Sequence, residues 1–160
     1  MAAALALSVC APAQANTSAR ELHLIARAIG FVRGMPRGAV DVAVIDGEGA
    51  DAVMAAMRPG VTAGGVTLFA RRVSLDELEQ SRVRVIVVPE GQREAHARIA
   101  SIARRMHAVT ASTDLACVQA DYCVVGVSAQ HSNQIRVSRE AAEASDVSFS
   151  VAFRVLVSEN

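Results

Sequence analysis

The chain has 160 residues, and its 16 basic and 16 acidic side chains leave no formal net charge at pH 7. This balance excludes a global field that would recruit nucleic acid or an anionic membrane surface. Aromatic residues make up 3% of the chain and Trp is absent, which argues against an aromatic platform for bases or sugars. The length suits one domain, and the many Ala and Val residues suit tightly packed layers of helix and sheet.

The N-terminal segment has the features of an export signal. Residues 2–13 are almost wholly small and apolar, and Ala13-Gln14-Ala15 matches an A-x-A cleavage site. The apolar stretch is too short to span a bilayer, so we expect residues 1–15 to be a signal peptide and residues 16–160 to form a single periplasmic domain. No Lys or Arg precedes the apolar run, and the alternative is that this segment is a disordered tail or a buried stretch.

Helices and strands are predicted to alternate along the rest of the chain. Capping boxes, Ser18 with Glu21 and Ser74 with Glu77, each mark the start of a helix. Runs of branched residues between turn signals predict strands. The predicted helices cover residues 19–32, 50–57, 75–80, 92–107 and 139–144. The predicted strands cover residues 40–45, 66–69, 83–88, 109–112, 122–127 and 134–137, and residues 149–157 fit either a closing helix or an edge strand.

The order of these elements predicts the fold class. Strand and helix alternate in steps of about twenty to twenty-five residues, which is typical of right-handed βαβ crossovers and a parallel sheet. The near-continuous apolar strands fit burial on both faces of that sheet. We therefore predict an α/β fold, a three-layer sandwich with a mainly parallel sheet of about five strands flanked by helices. Its topology would be Rossmann-like without a nucleotide site.

A glycine-rich turn is the reason for considering a nucleotide at all. Residues 47–52 match the G-x-G-x-x-G/A fingerprint, follow a predicted strand and open a helix, while Arg71 and Arg72 near the next strand end could contact a 2′-phosphate. However, the carboxylates of Asp46 and Asp51 flank the turn and would repel a pyrophosphate. We interpret the segment as an ordinary strand-to-helix turn and predict no cofactor.

Cys117 and Cys123 are close together in the sequence. In an oxidising compartment, the simplest arrangement for such a pair is one local disulfide. The alternatives are a redox-active pair or a metal site that includes a histidine. A catalytic dithiol usually has the C-x-x-C spacing at a helix start, which this pair lacks, and His96, His107 and His131 lack metal-ligand spacing.

Motifs of nucleophilic and acid–base catalysis are missing from the sequence. No G-x-S-x-G elbow occurs, and no Ser, His and acid can be grouped without assuming the fold. Glu90 and Glu94 flank a turn, where charges at a helix start are the simpler interpretation. We therefore predict a protein that is not an enzyme and that binds no metal.

A family resemblance appears in the C-terminal third of the chain. Over residues 135–153, a predicted strand is followed by a polar cap and a short Ala-rich helix. After the helix comes an apolar segment in which Ser residues alternate with apolar ones. This pattern resembles the end of the YfiR family of small exported α/β proteins, and residues 117–127 resemble the cysteine-bearing strand region found in part of that family. The order of elements from Ser18 onward also fits. Ser138 stands where many members have Asn, and the Trp-Pro ending common after the first helix is absent.

The resemblance implies a non-enzymatic periplasmic regulator that binds a protein partner in the cell envelope. Founding members of the family restrain an inner-membrane diguanylate cyclase, and an outer-membrane partner can sequester them, so that envelope or redox stress changes cyclic di-GMP output. The resemblance carries over Cys117 and Cys123 as a disulfide. We also expect a homodimer, no nucleic acid partner and no membrane insertion of the mature chain.

The first predicted helix offers a candidate partner-binding surface. Leu24, Ala28 and Phe31 lie off its main apolar stripe, and we expect them to be exposed. A helix that is apolar on two sides either has its second face covered by the fold or offers it to a partner. We predict partner binding through these three residues.

Two other functions fit the same sequence. The protein could be a single-lobe periplasmic small-ligand-binding protein, with loops at the strand ends around Asp46, Pro89 and Ser112. An enzyme with a nucleotide cofactor would depend on the Gly47 turn alone. A bound small molecule would favour either of these over a regulator.

Overall fold

The computed structural model of the protein describes residues 19–130, 133–154 and 157–159. The predicted signal peptide, residues 1–15, and Ser18 of the first capping box lie outside the described residues. The helices are α1 (Ala19–Ile29), α2 (Ala50–Met57), α3 (Leu75–Gln80), α4 (His96–Met106), α5 (Leu115–Gln119), α6 (Arg139–Ala144) and α7 (Val151–Arg154). The strands are β1 (Gly38–Ile45), β2 (Val61–Ala63), β3 (Val66–Val73), β4 (Val85–Val88), β5 (Val109–Ser112), β6 (Val125–Ser128), β7 (Gln134–Val137) and β8 (Ser158–Glu159).

The strands of the described residues form one mixed sheet in the order β2-β3-β1-β4-β5-β6-β7-β8. Its central strands, β3, β1, β4, β5 and β6, are parallel. At the flanks, β2 runs antiparallel to β3, and β7 runs antiparallel to β6. The α/β class is confirmed. The prediction of about five strands fits the parallel block but is wrong for the whole sheet, which is larger and mixed.

Helices cover both faces of this sheet. Successive apolar side chains of a strand point to opposite faces, so both faces are apolar and need to be covered. In β1, Val42 and Val44 belong to a core cluster shared with α1, α2 and α6, whereas Ala43 and Ile45 belong to a second cluster shared with α3, α4 and α5. The parallel strands, numbered by their own order in the chain, lie in the order 2-1-3-4-5 of doubly wound folds. In such folds, ligands bind at the carboxyl ends of the strands.

Short-range hydrogen bonds explain where several helices begin. The Ser74 hydroxyl accepts a hydrogen bond from the Glu77 amide at 3.2 Å, and the Glu77 carboxylate accepts one from the Ser74 amide at 2.7 Å, so the capping box predicted for α3 is confirmed. Asp114 caps α5 by accepting from the Ala116 amide at 3.0 Å. The sequence patterns missed α5, because a helix this short has no periodic apolar stripe.

Candidate functional site

A crevice lies at the carboxyl ends of β4, β5 and β6, where a doubly wound sheet offers a binding site. Its volume is about 440 Å³, and its lining residues are Glu90, Gly91, Arg93, Thr113, Asp114, Leu115, Ser128 and Gln130. Most of these follow the last residue of a strand, so the sheet itself brings them together. Glu21, near the start of α1, reaches the same edge, since its carboxylate accepts a hydrogen bond from the Ala129 amide at 3.2 Å.

Arg93 and Asp114 form the best-defined interaction of the crevice. The guanidinium donates from Nε to Asp114 Oδ2 at 2.8 Å and from its terminal nitrogen to Oδ1 at 3.3 Å. Burial alone would raise the pKa of Asp114, but the hydrogen bonds from Arg93 and from the Ala116 amide hold that pKa below its usual range. Asp114 is therefore a carboxylate that positions Arg93 and caps α5, while the Arg93 side chain stays 72% exposed to solvent.

Glu90 has the opposite electrostatic environment. Partial burial, followed by repulsion from Glu21 and Asp114, raises the pKa of Glu90, and a hydrogen bond with Thr113 offsets only part of this rise. A carboxylic acid with a raised pKa in the folded state binds its proton more tightly there than in the unfolded chain. Ionised Glu90 therefore destabilises the fold as the pH rises through the interval between the unfolded and folded pKa values.

We expect Glu90→Gln to stabilise the protein at neutral pH. The amide removes the repulsion from Glu21 and Asp114, and solvent screening at this partly buried site limits the gain to less than about 1 kcal/mol. The gain should fade as the pH falls through roughly 4.3, the ordinary pKa of Glu, because wild-type Glu90 is then protonated in both states. Urea unfolding across this pH interval measures the effect, with the exposed Glu94→Gln as control. An equal, pH-independent gain in both variants would contradict this account.

The glycine-rich turn is packed against the neighbouring loop. The Gln92 amide nitrogen donates to the carbonyl of Asp46 at 3.3 Å and to that of Glu48 at 3.1 Å, so its side chain spans the turn. Arg72, considered above as a phosphate ligand, forms ion pairs with Asp46 and Asp51. These contacts give the residues of the turn structural roles, as expected for an ordinary strand-to-helix connection.

Cys117 and Cys123 form a disulfide, which confirms the predicted pairing. Their Cα atoms lie 5.2 Å apart, and both residues are buried. The bond connects α5 to the segment that leads into β6, and the Cys123 amide donates to the Cys117 carbonyl at 3.0 Å across the same loop. Closing a loop of about seven residues stabilises the fold by roughly 2.4 kcal/mol in the chain-entropy model.

The residues predicted to bind a partner lie in or beside the core. Leu24 and Ala28 are buried, and the partly buried Phe31 stacks on Phe153 with ring centroids 5.1 Å apart. The fold itself therefore covers the second apolar face of α1, and the exposure expected for Leu24 and Ala28 is wrong. Partner binding through Leu24, Ala28 and Phe31 stays a prediction, and a partner could reach the first two only if part of the core opened.

His96 is a buried histidine whose burial was not predicted from the sequence. It packs beside Tyr122 with ring centroids 6.3 Å apart, and burial, only partly offset by Asp114, lowers the pKa of its imidazole. Among the described residues, its Nε2 atom has no hydrogen-bond partner. Within the same part of the chain, no three His, Cys, Asp or Glu residues are arranged to hold a metal ion.

A second cavity lies beside the C-terminal segment that carries the family resemblance. Its volume is about 510 Å³, and it is lined by Val137, Arg139, Ala142, Glu143, Val147, Ser148 and Phe149. These residues come from the end of β7, from α6 and from the turn that follows α6. The predicted strand, the short helix and the segment that follows the helix therefore all contribute residues to the lining of this cavity.

No model of a protein family matches this chain, and no curated protein matches it. Of the helices in the described ranges, none is long and apolar enough to cross a membrane.

Proposed function

We propose that this protein is a non-enzymatic regulator of the periplasm that acts by binding a protein partner and resembles YfiR-type repressors of an inner-membrane diguanylate cyclase. The observation that carries the proposal is the Cys117–Cys123 disulfide. Structural disulfides persist in oxidising compartments such as the periplasm and are rare in the cytosol. The bond also lies in the segment whose sequence resembles the cysteine-bearing strand region of that family.

The C-terminal elements give further support. The resemblance predicted a strand, a polar cap and a short helix in this part of the chain. The cap is Ser138, whose hydroxyl accepts a hydrogen bond from the Ala141 amide at 2.9 Å and donates one to Asp121 at 2.6 Å. Asp121 lies inside the disulfide loop, so this hydrogen bond connects the loop to the start of α6.

The crevice supports binding more than catalysis. The carboxylate of Asp114 is engaged as a helix cap and as the partner of Arg93, and Glu90 lies near other carboxylates and forms a hydrogen bond with Thr113. A general acid or base must lie within hydrogen-bond reach of a reacting group that the site also holds. These contacts instead build a fixed, polar surface.

Export and oxidation of the chain test the first part of the proposal. The full-length protein would be expressed in a bacterial host and recovered from periplasmic and cytoplasmic fractions, and its intact mass would be measured. We expect a periplasmic chain that begins at Asn16, whose Cys117 and Cys123 react with an alkylating reagent only after reduction. Full-length protein in the cytoplasm with thiols that react without reductant would overturn the proposal.

Partner binding tests the second part. Oxidised protein would be used to capture membrane proteins from the native host, and cyclic di-GMP would be measured after deletion of the gene. Capture of a membrane diguanylate cyclase and a rise in cyclic di-GMP are the expected results. The proposed homodimer would be detected by light scattering of the purified protein. Unchanged cyclic di-GMP after deletion would contradict the role in cyclase repression.

Binding of a small ligand is a second candidate function, favoured by the crevice at the carboxyl ends of the strands. The exposed Arg93 side chain, held by Asp114, gives that crevice fixed hydrogen-bond donors among its carboxylates. Native mass spectrometry of protein taken directly from the periplasm would detect a bound molecule, and Arg93→Ala should release it. A protein that carries no ligand would favour the regulator.

A further inference from the structure

The edge strand β3 is open over its carboxyl half. On one side, β1 pairs with β3 along its whole length, from Val66 to Val73. On the other side, β2 pairs only with residues 66–68. In the described part of the chain, no other strand borders β3. Residues 69–73 therefore form a length of sheet edge that continues beyond the end of β2.

The hydrogen bonds to β1 show which backbone groups face this open edge. The Asp46 amide donates to the carbonyl of Val73 at 2.8 Å, so Val73 turns its backbone toward β1. Successive residues of a strand alternate in this respect. The N–H and C=O groups of Ala70 and Arg72 consequently point away from β1, on the side of β2 but past its end. Unpaired groups of this kind are a template for an added strand.

Side chains along this edge present an apolar cleft. Phe69 is 45% exposed, which is unusual for a large apolar residue in this fold. A cleft of about 190 Å³ lies beside it, between β3 and α2, and its lining residues are Met54, Met57, Arg58, Phe69 and Ala70. Because side chains alternate along β3, Ala70 lies on the side of α2 and Arg71 lies on the other face, while the Phe69 side chain borders the cleft at the sheet edge. An added strand would contact both faces.

The arginine side chains at this edge indicate which charge a partner strand should have. Arg72 is already paired with Asp46 and Asp51. Arg71 is exposed and, apart from its electrostatic influence on Glu77, has no ion pair among the described residues. Arg71 on the edge, and the exposed Arg58 in the lining of the cleft, thus have charges that are available to a carboxylate.

A second copy of this chain fits the edge poorly. Two copies could pair Ala70 of one with Arg72 of the other in an antiparallel ladder. That register sets Arg71 directly opposite Arg71 of the other copy. Like charges in opposite positions of a sheet destabilise the pairing. The same geometry favours a strand that has a carboxylate at this position.

We propose that the open edge of β3 binds an extended, acidic segment of the partner protein as an added antiparallel strand. Backbone hydrogen bonds to Ala70 and Arg72 hold the segment, an apolar side chain enters the cleft beside Met54 and Met57, and a carboxylate faces Arg71. The inference rests on the proposed protein-binding function and specifies the type of contact that the regulator makes.

Short fluorescent peptides test this inference on the oxidised protein, residues 16–160. One peptide alternates Val with Glu, and a matched peptide alternates Val with Lys. We expect the wild type to bind the Glu peptide roughly tenfold more tightly, and we expect Arg71→Glu to reverse this preference. The control Arg82→Glu changes an exposed arginine away from the edge and should keep it. Fluorescence anisotropy measures each affinity, and circular dichroism checks that each variant is folded.

A second variant tests the backbone contacts. Ala70→Pro removes the outward N–H, and an edge strand tolerates proline, so this variant should bind both peptides more weakly. If Ala70→Pro fails to fold, the result with Arg71→Glu decides. Equal binding of the two peptides by the wild type, or an unchanged preference in Arg71→Glu, would overturn the inference. Failure of the peptide experiment would leave the results of the export and cyclase experiments unaffected. Conversely, if the peptides bind but deletion of the gene leaves cyclic di-GMP unchanged, only the regulatory role is contradicted.

Discussion

Replacing Gly30 by Ala should lower the free energy of unfolding by about 3 kcal/mol, at the upper end of the range for overpacking. Gly30 follows α1 and lies against the turn between β2 and β3. An added Cβ would lie 2.8 Å from the carbonyl carbon and 2.9 Å from the Cα of Gly64, and closer still to its oxygen. These are backbone atoms of a tight turn, so no side chain can rotate away to make room. Urea unfolding of the oxidised protein measures the loss.

Gly38→Ala is the matched control. Gly38 has a φ of +88°, but an added Cβ would meet no atom within 4 Å. This substitution should therefore cost only the backbone strain of a left-handed residue, about 1 kcal/mol. A loss in Gly30→Ala no larger than that in Gly38→Ala would show that α1 and the turn do not make the close contact described.

Elements with strong local signals could be predicted from the sequence. The bounds predicted for α2, β5, β7 and α6 match the structure. Each of these begins or ends at a residue whose own chemistry marks the boundary, such as Gly49 before α2 or Ser138 at the start of α6. Boundary signals of this kind depend only on residues that are neighbours in the sequence, so they can be recognised without knowledge of the tertiary structure.

Elements that depend on distant contacts could not be predicted in the same way. Strand β2 spans Val61–Ala63, too short for any alternation to be recognised, and it forms because the turn at Gly64 and Gly65 folds it onto β3. The burial of Leu24 and Ala28 likewise depends on what the rest of the chain packs against α1. A helical pattern indicates that two faces are apolar, but it does not say what covers the second one.

Two of the three predicted loops contribute to the crevice, those that follow Pro89 and Ser112, whereas none of its lining residues comes from the loop at Asp46. Loops after Asp46, Pro89 and Ser112 were expected at one edge of the sheet, and the strand order places β1, β4 and β5 side by side. The charged residues that define the crevice could not be grouped from the sequence. Glu21, which belongs to α1, reaches this edge only because that helix crosses the sheet to Ala129. Its electrostatic effect on Glu90 therefore arises from tertiary structure alone.

An aromatic cluster formed by Phe31, Phe149 and Phe153 lies at the C-terminal end of the described chain. The Phe153 ring lies 5.1 Å from that of Phe31 and 4.8 Å from that of Phe149, measured between centroids. Phe153 is 2% exposed, and it belongs to the core cluster that covers one face of the sheet. The Phe153 ring of the short helix α7 therefore packs against Phe31, which lies just after α1. Phe31 is thus part of an internal packing contact.

Phe153→Ala should accordingly lower the free energy of unfolding by about 3–5 kcal/mol, because the truncated side chain leaves a cavity between Phe31 and Phe149. Val151→Ala, on the same helix but 63% exposed, should change stability by less than about 0.5 kcal/mol. Chemical denaturation of both variants measures the difference, and equal stabilities would contradict the described packing. Phe31→Asp would test partner binding at the same cluster, and the comparison of Phe153→Ala with Val151→Ala shows how its result is to be interpreted. If the cluster is as stabilising as we expect, that variant will lose partner binding because it unfolds, and only a folded Phe31 variant can test a contact with a partner.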